Sequence, residues 1–397
     1  MSKTVGLAGA GSIAFGTAAV LHEAGHDPML WSPSGAGTAE LAKGEALRAT
    51  GAVETTLTPR IADSAATLAR ENDVLIIALP GYGHKTVLDA LAPHIEDRHH
   101  VIVSSHASLG AVYLMQLLAE RGVVAPITAW GTTICTGRRQ SGTEVKVNTV
   151  RSRVDLCTVP EDRSADALAL CQALFGDRFQ PRDGLLAISL SNLNPQNHMG
   201  IALGNITRME RGETRSRGQN VTPKVGRLLE ELDRERLEIA QALGLEVRTI
   251  FEHFHLSFHV PVASISEMNQ QMHAQGNGGT GPATADSRYV TEDVPYGLVL
   301  TAALGRLAGH PAPLHEAGIR IFSAMYGRDF EAENQILAAL DLDRFSLGRA
   351  EGRREDGAFA STCQRVTRAG DITKKTPYRG NKKSHHWTNK ETTPCRN

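Results

Sequence analysis

The segment Gly9-Ala10-Gly11-Ser12-Ile13-Ala14 follows the short apolar run Val5 to Ala8 and precedes a helical pattern. This order constrains the fold strongly, because a helix that begins at such a turn presents free backbone amides and the positive end of its dipole. Gly9 permits the tight turn, Gly11 leaves space for a pyrophosphate, and the small Ala14 lets helix and strand approach closely. The segment therefore predicts a dinucleotide-binding turn.

The first half of the chain alternates β-rich apolar runs with helical patterns. The runs are Val5 to Ala8, Met29 to Trp31, Asp73 to Leu79, Val101 to Ser104 and Ala125 to Trp130. This alternation predicts a parallel, doubly wound sheet of the Rossmann type. Two later runs, Glu144 to Val150 and Arg153 to Val159, are expected to pair as antiparallel strands that complete the sheet, before a helix over Ala165 to Phe175.

Long helical periodicities replace the strand signals after Leu185. The clearest helix is expected over Thr222 to Leu243, with Thr222 as N-cap and Pro223 in the first turn. Further helices are expected over Tyr296 to Leu307, Pro313 to Tyr326 and Phe330 to Leu340. We therefore predict a dinucleotide-binding domain over residues 1–183 and an all-α domain over residues 184–349. Residues 350–397 have little periodicity and are interpreted as a basic, disordered extension without a role in folding or catalysis.

Composition narrows the partners of the chain. A formal net charge of −1 over 397 residues gives no reason to expect nucleic acid. We expect neither a signal peptide nor a membrane span. The five cysteines lack the spacing of a disulfide framework or a metal site, which favours the cytoplasm and excludes a bound metal from the prediction. Small molecules are the expected partners, and a homodimer stays open.

The end of the second predicted strand bears on cofactor choice. It reads Trp31-Ser32-Pro33-Ser34, where a carboxylate would bind the ribose hydroxyls of NAD. Without that carboxylate a 2′-phosphate is not repelled, so the sequence favours NADP and leaves NAD open. After the run ending at Leu79, Pro80 begins a predicted loop beside the cofactor. The expected cofactor-binding residues are Gly9, Gly11, Ser12, Ile13, Ala14, Ser32, Ser34 and Pro80.

Three polar stretches in the second half are not explained by helix packing. They run from Ser191 to His198, from Thr222 to Arg236 and from Arg288 to Leu298. Together with the glycine turn they resemble the opine dehydrogenase family, which includes octopine and nopaline dehydrogenases. Members of that family reductively join an α-keto acid to the amino group of an amino acid. The resemblance spans roughly residues 4–345, with the motifs in the order found in the family.

The resemblance implies roles for individual residues. His198 matches the family's catalytic histidine and Asp293 the carboxylate that pairs with it, an arrangement suited to proton delivery near neutral pH. Arg288 matches an arginine that binds the carboxylate of the keto acid. Asn194, one helical turn before His198, is expected to act with it or to cap a helix. Thr136, in a loop after the last parallel strand, is expected to border the nicotinamide or substrate.

Two other readings stay open. The first is an NADP-dependent reductase of a keto or hydroxy acid, of the ketopantoate reductase or glycerol-3-phosphate dehydrogenase type. Ketopantoate reductases use a lysine in the helical domain, whereas this sequence offers His198 with Asp293. The second is a non-catalytic dinucleotide sensor, which would have no need to keep His198, Arg288 and Asp293 together.

Overall fold

A computed structural model describes residues 2–340 and 342 of the chain. The predicted basic extension from residue 350 onward lies outside these described residues. The strands are β1 Thr4–Ala8, β2 Asp27–Trp31, β3 Leu47–Gly51, β4 Thr55–Leu57, β5 Arg60–Ile61, β6 Val74–Ile77, β7 His100–Ser104, β8 Ile127–Trp130, β9 Cys135–Arg139, β10 Glu144–Val150, β11 Val154–Val159 and β12 Phe179–Pro181. The helices among them are α1 Ser12–Glu23, α2 Ala65–Glu71, α3 Gly81–Leu91, α4 Gly110–Ala119 and α5 Ser164–Phe175.

The larger sheet has the strand order β12-β11-β8-β7-β6-β1-β2-β5. The six strands from β8 to β5 pair in parallel, and β11 adds to β8 in the antiparallel direction. The crossover order around β1 is that of a doubly wound dinucleotide-binding sheet. The predicted fold class is therefore confirmed for this half of the chain.

The smaller sheet, of order β4-β3-β10-β9, was not predicted. In it β10 pairs with β9 and β3, whereas β11 pairs with β8 and β12 in the larger sheet. The expected pairing of Glu144 to Val150 with Arg153 to Val159 is therefore wrong. An alternating pattern specifies which face of a strand is buried but does not specify the neighbouring strand. Helix α1 packs between the two sheets, with Phe15 fully buried.

The second half consists of helices joined by irregular segments. They are α6 Leu185–Leu190, α7 Asn194–Leu203, α8 Ile206–Glu210, α9 Pro223–Ala242, α10 Ile250–Phe258, α11 Ile265–Ala274, α12 Arg288–Thr291, α13 Val299–Ala308, α14 Pro313–Tyr326 and α15 Gln335–Ala339. Thr222 precedes α9 in an extended conformation and Pro223 occupies its first position, as expected. In the described part of the chain, no helix has the length and apolarity that crossing a membrane requires.

Two predicted helices differ from those observed. The helix expected from Tyr296 begins as a π-helical turn over Val294–Leu298 and continues as α13. The helix expected over Phe330 to Leu340 is only α15, because turns occupy the residues before it. The π-helical turn directly follows Asp293, and such turns alter the direction of neighbouring side chains at functional sites.

Polar contacts join the two halves next to this turn. Ser108, after β7, donates to the carbonyl oxygen of Tyr296 at 2.8 Å. The Asn334 amide donates to the Ser108 hydroxyl at 2.9 Å and to the carbonyl oxygen of Pro295 at 2.7 Å. The carboxyl edge of the parallel sheet therefore faces the segment that carries Asp293.

Candidate functional site

The glycine turn has the geometry that a dinucleotide requires. Gly9 has φ +144°, and a Cβ there would lie 2.3 Å from the carbonyl oxygen of Ala78, so a side chain is excluded. Nothing lies within 4 Å of the position that a Cβ of Gly11 would take. Helix α1 starts at Ser12, and its first backbone bond runs from Phe15 N–H to the carbonyl oxygen of Gly11. The amides of Ser12, Ile13 and Ala14 thus have no acceptor within the helix and can bind phosphate.

The segment after β2 also fits a bound ribose. The hydroxyl of Ser32 is buried and has no hydrogen-bond partner within the described part of the chain. An unpartnered buried hydroxyl costs free energy that a bound ligand can recover. Ser34 is exposed two residues further on. The space at Gly11 and the unpaired Ser32 hydroxyl therefore both fit a dinucleotide.

Pro80 precedes the first residue of α3 and is half-buried. The residues after it, Gly81 to His84, form the first turn of this helix, so the loop expected there is wrong. The backbone N–H of Gly81 donates to the carboxylate of Glu292 at 3.3 Å. This contact places the N-terminus of α3 against the segment that carries Arg288 and Asp293.

His198 and Asp293 are in direct contact. Nδ1 of His198 lies 2.7 Å from Oδ2 of Asp293, and the two side chains are only 16% and 17% exposed. Helix α7 carries His198 on its second turn, and Asp293 immediately precedes the π-helical turn. With Nδ1 bound to the carboxylate, Nε2 is left for proton transfer to a ligand. The pair has the geometry of a general acid or base oriented by a carboxylate.

Tyr289 completes this arrangement. Its ring stacks on the His198 imidazole with centroids 3.5 Å apart and planes 9° apart. The stack fixes the plane of the imidazole, while Asp293 fixes its rotation within that plane. Tyr289 lies in the polar stretch from Arg288 to Leu298, but no role was predicted for it, because a contact between helices α7 and α12 is not visible in sequence spacing.

Arg288 is the first residue of α12, and its side chain is 74% exposed. Its Nε donates to Oε2 of Glu292 at 2.5 Å. Glu292 also accepts the Gly81 N–H, so it links the guanidinium to the N-terminus of α3. Arg288 retains its Nη donors for an anionic ligand, and the following residue is Tyr289, which contacts His198.

The remaining two predicted residues are less closely tied to this pair. Asn194 is exposed at the first position of α7, and its backbone N–H donates to the side chain of Asn192 at 3.1 Å. The helix places it one turn before His198. Thr136 lies on β9, so the expected loop is wrong, and it pairs with Thr149 beside α1. No contact among the described residues links Thr136 to His198 or Asp293.

A buried polar network holds the helix that carries His198. Gln196 donates to Oδ1 of Asp233 at 2.9 Å, and Arg236 donates to the same oxygen at 2.7 Å. Arg236 also reaches the carbonyl oxygens of Leu190 and Arg248, both at 2.6 Å. The network connects the C-terminal end of α6 and the segment just before α10 with helices α7 and α9. Asp233 and Arg236 belong to the polar stretch from Thr222 to Arg236, but their contacts do not follow from its spacing.

Comparisons with known proteins agree with this architecture. Residues 181–326 match the family described as NAD/NADP octopine/nopaline dehydrogenase, alpha-helical domain. A curated opine dehydrogenase from Arthrobacter sp. (strain 1C) is 30% identical over 351 residues, which cover 86% of this chain and 96% of the relative. The chain belongs to the opine dehydrogenase family. It is accordingly an NAD(P)-dependent oxidoreductase that acts on carbon–nitrogen bonds, as the sequence predicted.

Solved structures resemble this opine dehydrogenase in fold. An octopine dehydrogenase solved with NADH and L-arginine has a TM-score of 0.74 at 16% identity. The match covers 89% of this chain and 100% of that chain. A yersinopine dehydrogenase with NADP⁺ has a TM-score of 0.65 at 16% identity, covering 92% and 99%. Residues 5–156 also match the ketopantoate reductase family, which covers only the dinucleotide-binding half. The family match to ketopantoate reductases therefore stops before the helical half, whose family match is to octopine/nopaline dehydrogenases.

Proposed function

We propose that this enzyme condenses the amino group of an amino acid with an α-keto acid and reduces the resulting imine. The observation that carries the proposal is the His198–Asp293 pair, 2.7 Å apart, beside the segment of the helical half that contacts the N-terminus of α3. A simple keto acid reduction also needs an acid. The imine reaction needs in addition that a water molecule leaves, which gives a histidine able to donate and accept protons a clear task.

We propose the following roles for residues of this chain in the reaction. His198 donates a proton from Nε2 to the carbonyl oxygen that departs as water. Asp293 stabilises the imidazolium form that makes this donation, which leaves His198 as neutral imidazole, and keeps the ring oriented. Tyr289 holds the imidazole plane and excludes water from one of its faces. When bound, NAD(P)H supplies the hydride that converts the imine into the secondary amine.

For the substrates we propose a pyruvate-like keto acid, whose carboxylate Arg288 binds through two parallel hydrogen bonds. The octopine dehydrogenases solved with L-arginine and with pyruvate support this class. Asn194 is proposed to lie at the edge of the amine site, one turn before His198. Thr136 remains a prediction whose position on β9 favours a contact with the cofactor over one with substrate.

For the cofactor we propose NADPH, bound through Gly9, Gly11, Ser12, Ile13 and Ala14 at the pyrophosphate, Ser32 and Ser34 at the ribose, and Pro80 near the nicotinamide. The relative solved with NADP⁺ supports this choice within the family. We propose a cytoplasmic location because the spacing of the five cysteines fits neither a disulfide framework nor a metal site. A homodimer stays a prediction.

The decisive test is whether NADPH oxidation requires both substrates. We expect little oxidation with pyruvate alone or with any L-amino acid alone, and rapid oxidation with a matching pair. Mass spectrometry should then find a product with the mass of both substrates minus water plus two hydrogens. Full-rate oxidation with the keto acid alone, giving a 2-hydroxy acid, would replace this proposal with the simple reductase.

The role of Arg288 has its own measurement. Arg288→Ala should raise KM for the keto acid by about ten- to hundredfold, because a bidentate charge-assisted contact is lost, and should change KM for the amine less. Arg320→Ala, an exposed arginine on α14, is the matched control and should change neither constant. An equal rise in both KM values for Arg288→Ala would exclude a specific keto acid contact.

A further inference from the structure

The guanidinium of Arg139 meets the glycine turn although the two are 129 residues apart in sequence. Arg139 is the last residue of β9, in the smaller sheet. Its Nη1 donates to the carbonyl oxygen of Ala10 at 2.8 Å, and its guanidinium carbon lies 4.9 Å from the centre of the Phe15 ring. The same Nη1 lies 3.7 Å from the position that a Cβ of Gly37 would take. Arg139 therefore spans the turn after β1 and the segment after β2.

This location is where the adenosine ribose of a dinucleotide lies in a doubly wound sheet, between the glycine turn and the end of the second strand. Ser32 follows the second strand directly, and its buried hydroxyl has no partner in the described part of the chain. The segment that follows, Ser32 to Thr38, contains no acidic residue. A phosphate at this position would meet a cation and a hydroxyl, and residues 32–38 contribute no carboxylate that would repel it.

The charge of Arg139 is free for such a ligand. Its hydrogen bonds go to two backbone carbonyl oxygens, those of Ala10 and, at 2.7 Å from Nε, of Ser141. No carboxylate of the described residues lies within 4.0 Å of its nitrogens, whereas Arg48 in the same sheet has Glu144 at 3.8 Å. The aromatic face of Phe15 and the Ala10 carbonyl hold the planar group half-buried, which suits bidentate binding of a phosphate.

We propose that Arg139 binds the 2′-phosphate of NADP(H), together with the Ser32 hydroxyl, and thereby sets the cofactor preference of this enzyme. The proposal rests on the proposed NADPH dependence and not on the identity of the substrates. The segment Ser32 to Thr38 after β2 contains no arginine. The cation comes instead from a strand of the sheet that was not predicted.

The test measures binding and needs no turnover. Adenosine 2′,5′-bisphosphate and 5′-ADP are titrated calorimetrically into the wild type, Arg139→Gln and Arg48→Gln, with melting curves to check folding. Wild type should prefer the 2′-phosphorylated ligand. Arg139→Gln should weaken that ligand about ten- to hundredfold and leave 5′-ADP unchanged, as expected for a lost charge-assisted contact. Arg48→Gln, a 68% exposed arginine of the same sheet, should change neither.

Two outcomes would overturn the inference. If the wild type does not distinguish the two ligands, there is no 2′-phosphate site. If Arg139→Gln weakens both equally, Arg139 only shapes the glycine turn through Ala10. Ser32→Asp provides a second variant, since a carboxylate at this position should repel the 2′-phosphate selectively. Failure of these binding tests is distinguishable from failure of the proposed reaction, which is measured by its requirement for two substrates.

Discussion

The two halves of this opine dehydrogenase place their charges differently. In the dinucleotide-binding half every ion pair among the described residues keeps more than a fifth of each side chain exposed, from Arg182–Asp155 at 29% and 22% to Arg98–Asp73 at 41% and 71%. In the helical half two pairs of ionisable side chains are buried in the packing. Arg236 and Asp233 are 1% and 2% exposed, and His315 and Glu235 are 0% and 6% exposed. The helical half thus bears the desolvation cost of charges that the first half avoids.

The difference follows from what positions each site. The backbone positions the cofactor turn, because hydrogen bonds between neighbouring strands fix their register and the phosphate-binding groups are amides of α1. Packed helices have no such ladder, and apolar side chains alone define their relative position only loosely. The Asp233–Arg236 pair, with Gln196 two residues before His198, supplies directional contacts to α7. These charges therefore hold the helix that carries His198.

The largest expected effect is on turnover, and it tests the site formed by the His198 and Asp293 side chains. His198→Ala and Asp293→Asn should each reduce turnover by about two to four orders of magnitude, because general acid–base catalysis is lost. The dissociation constant for NADPH should not change, since the cofactor turn is built from backbone of the other half. Steady-state kinetics and fluorescence titration of NADPH measure the two quantities separately.

His310→Ala, an exposed histidine after α13, is the matched control and should retain full turnover. The double variant His198→Ala/Asp293→Asn should be about as slow as His198→Ala alone, because the two residues act as a unit. A double variant as slow as the product of the two single losses would show that they act independently.

The same difference explains what could be predicted from the sequence. The glycine turn, the parallel strands and the helix α9 follow from local spacing and capping, and they are present as expected. The partner of β10 does not follow, because many strands share its alternating pattern. Thr136 was assigned to a loop for the same reason, since its strand belongs to the sheet that β10 forms.

The helical site was accessible only through resemblance. No spacing rule brings residues 198 and 293 together, and the family motifs supplied both. The contacts made by Tyr289, Gln196 and Arg139 join segments that are distant in sequence, and neither periodicity nor a motif encodes them. The sequence alone therefore predicts the glycine turn, which the backbone builds, more completely than the site around His198 and Asp293, which side chains build.

The next effect concerns stability. Asp233→Asn should lower the free energy of unfolding by about 3–5 kcal/mol, because the buried Arg236 guanidinium loses its counter-charge. Glu231→Gln, on the same helix and in an exposed pair with Arg234, should cost less than about 1 kcal/mol. Urea unfolding measures both. If the two variants were equally stable, the buried pair would not be the element that holds the helical half together.

The free energy of unfolding, measured as a function of pH, should distinguish the ionisable groups of the two halves. Burial lowers the pKa of His84 to about 4 and that of His106 to about 3, both in the dinucleotide-binding half. Between pH 6.5 and 4 the unfolded chain binds protons that the folded chain does not, so stability present above pH 6.5 falls as the pH falls. Each histidine should contribute about 2–3 kcal/mol of this loss by pH 4.5.

The helical half should lose less stability in this pH range, because His253 is the one histidine of its described residues whose pKa is lowered by burial, and it should lose more at lower pH. Burial raises the pKa of Glu235, but hydrogen bonds from His315 and from two backbone amides outweigh it and leave that pKa below its usual value. Its contribution is therefore present above about pH 4.5 and is lost below it. His84→Gln should reduce the loss between pH 6.5 and 4.5, whereas His94→Gln, exposed in the same half, should not. If the free energy of unfolding depended on pH equally in both variants, His84 would not be a source of the pH dependence.

The smallest effect tests the backbone site. Gly11→Ala should weaken NADPH binding by about tenfold, or about 1.4 kcal/mol, because the added methyl group occupies space needed by the pyrophosphate. Stability should change by less than about 1 kcal/mol, since nothing lies within 4 Å of that methyl group and Gly11 has an ordinary φ of −92°.

Gly9→Ala is the contrasting variant. It should lower the melting temperature, because Gly9 has a φ of +144° and its added Cβ would lie 2.3 Å from the Ala78 oxygen. Titration of NADPH and thermal melts decide the matter, and a Gly11→Ala protein with unchanged affinity would show that the phosphate does not pass over this turn.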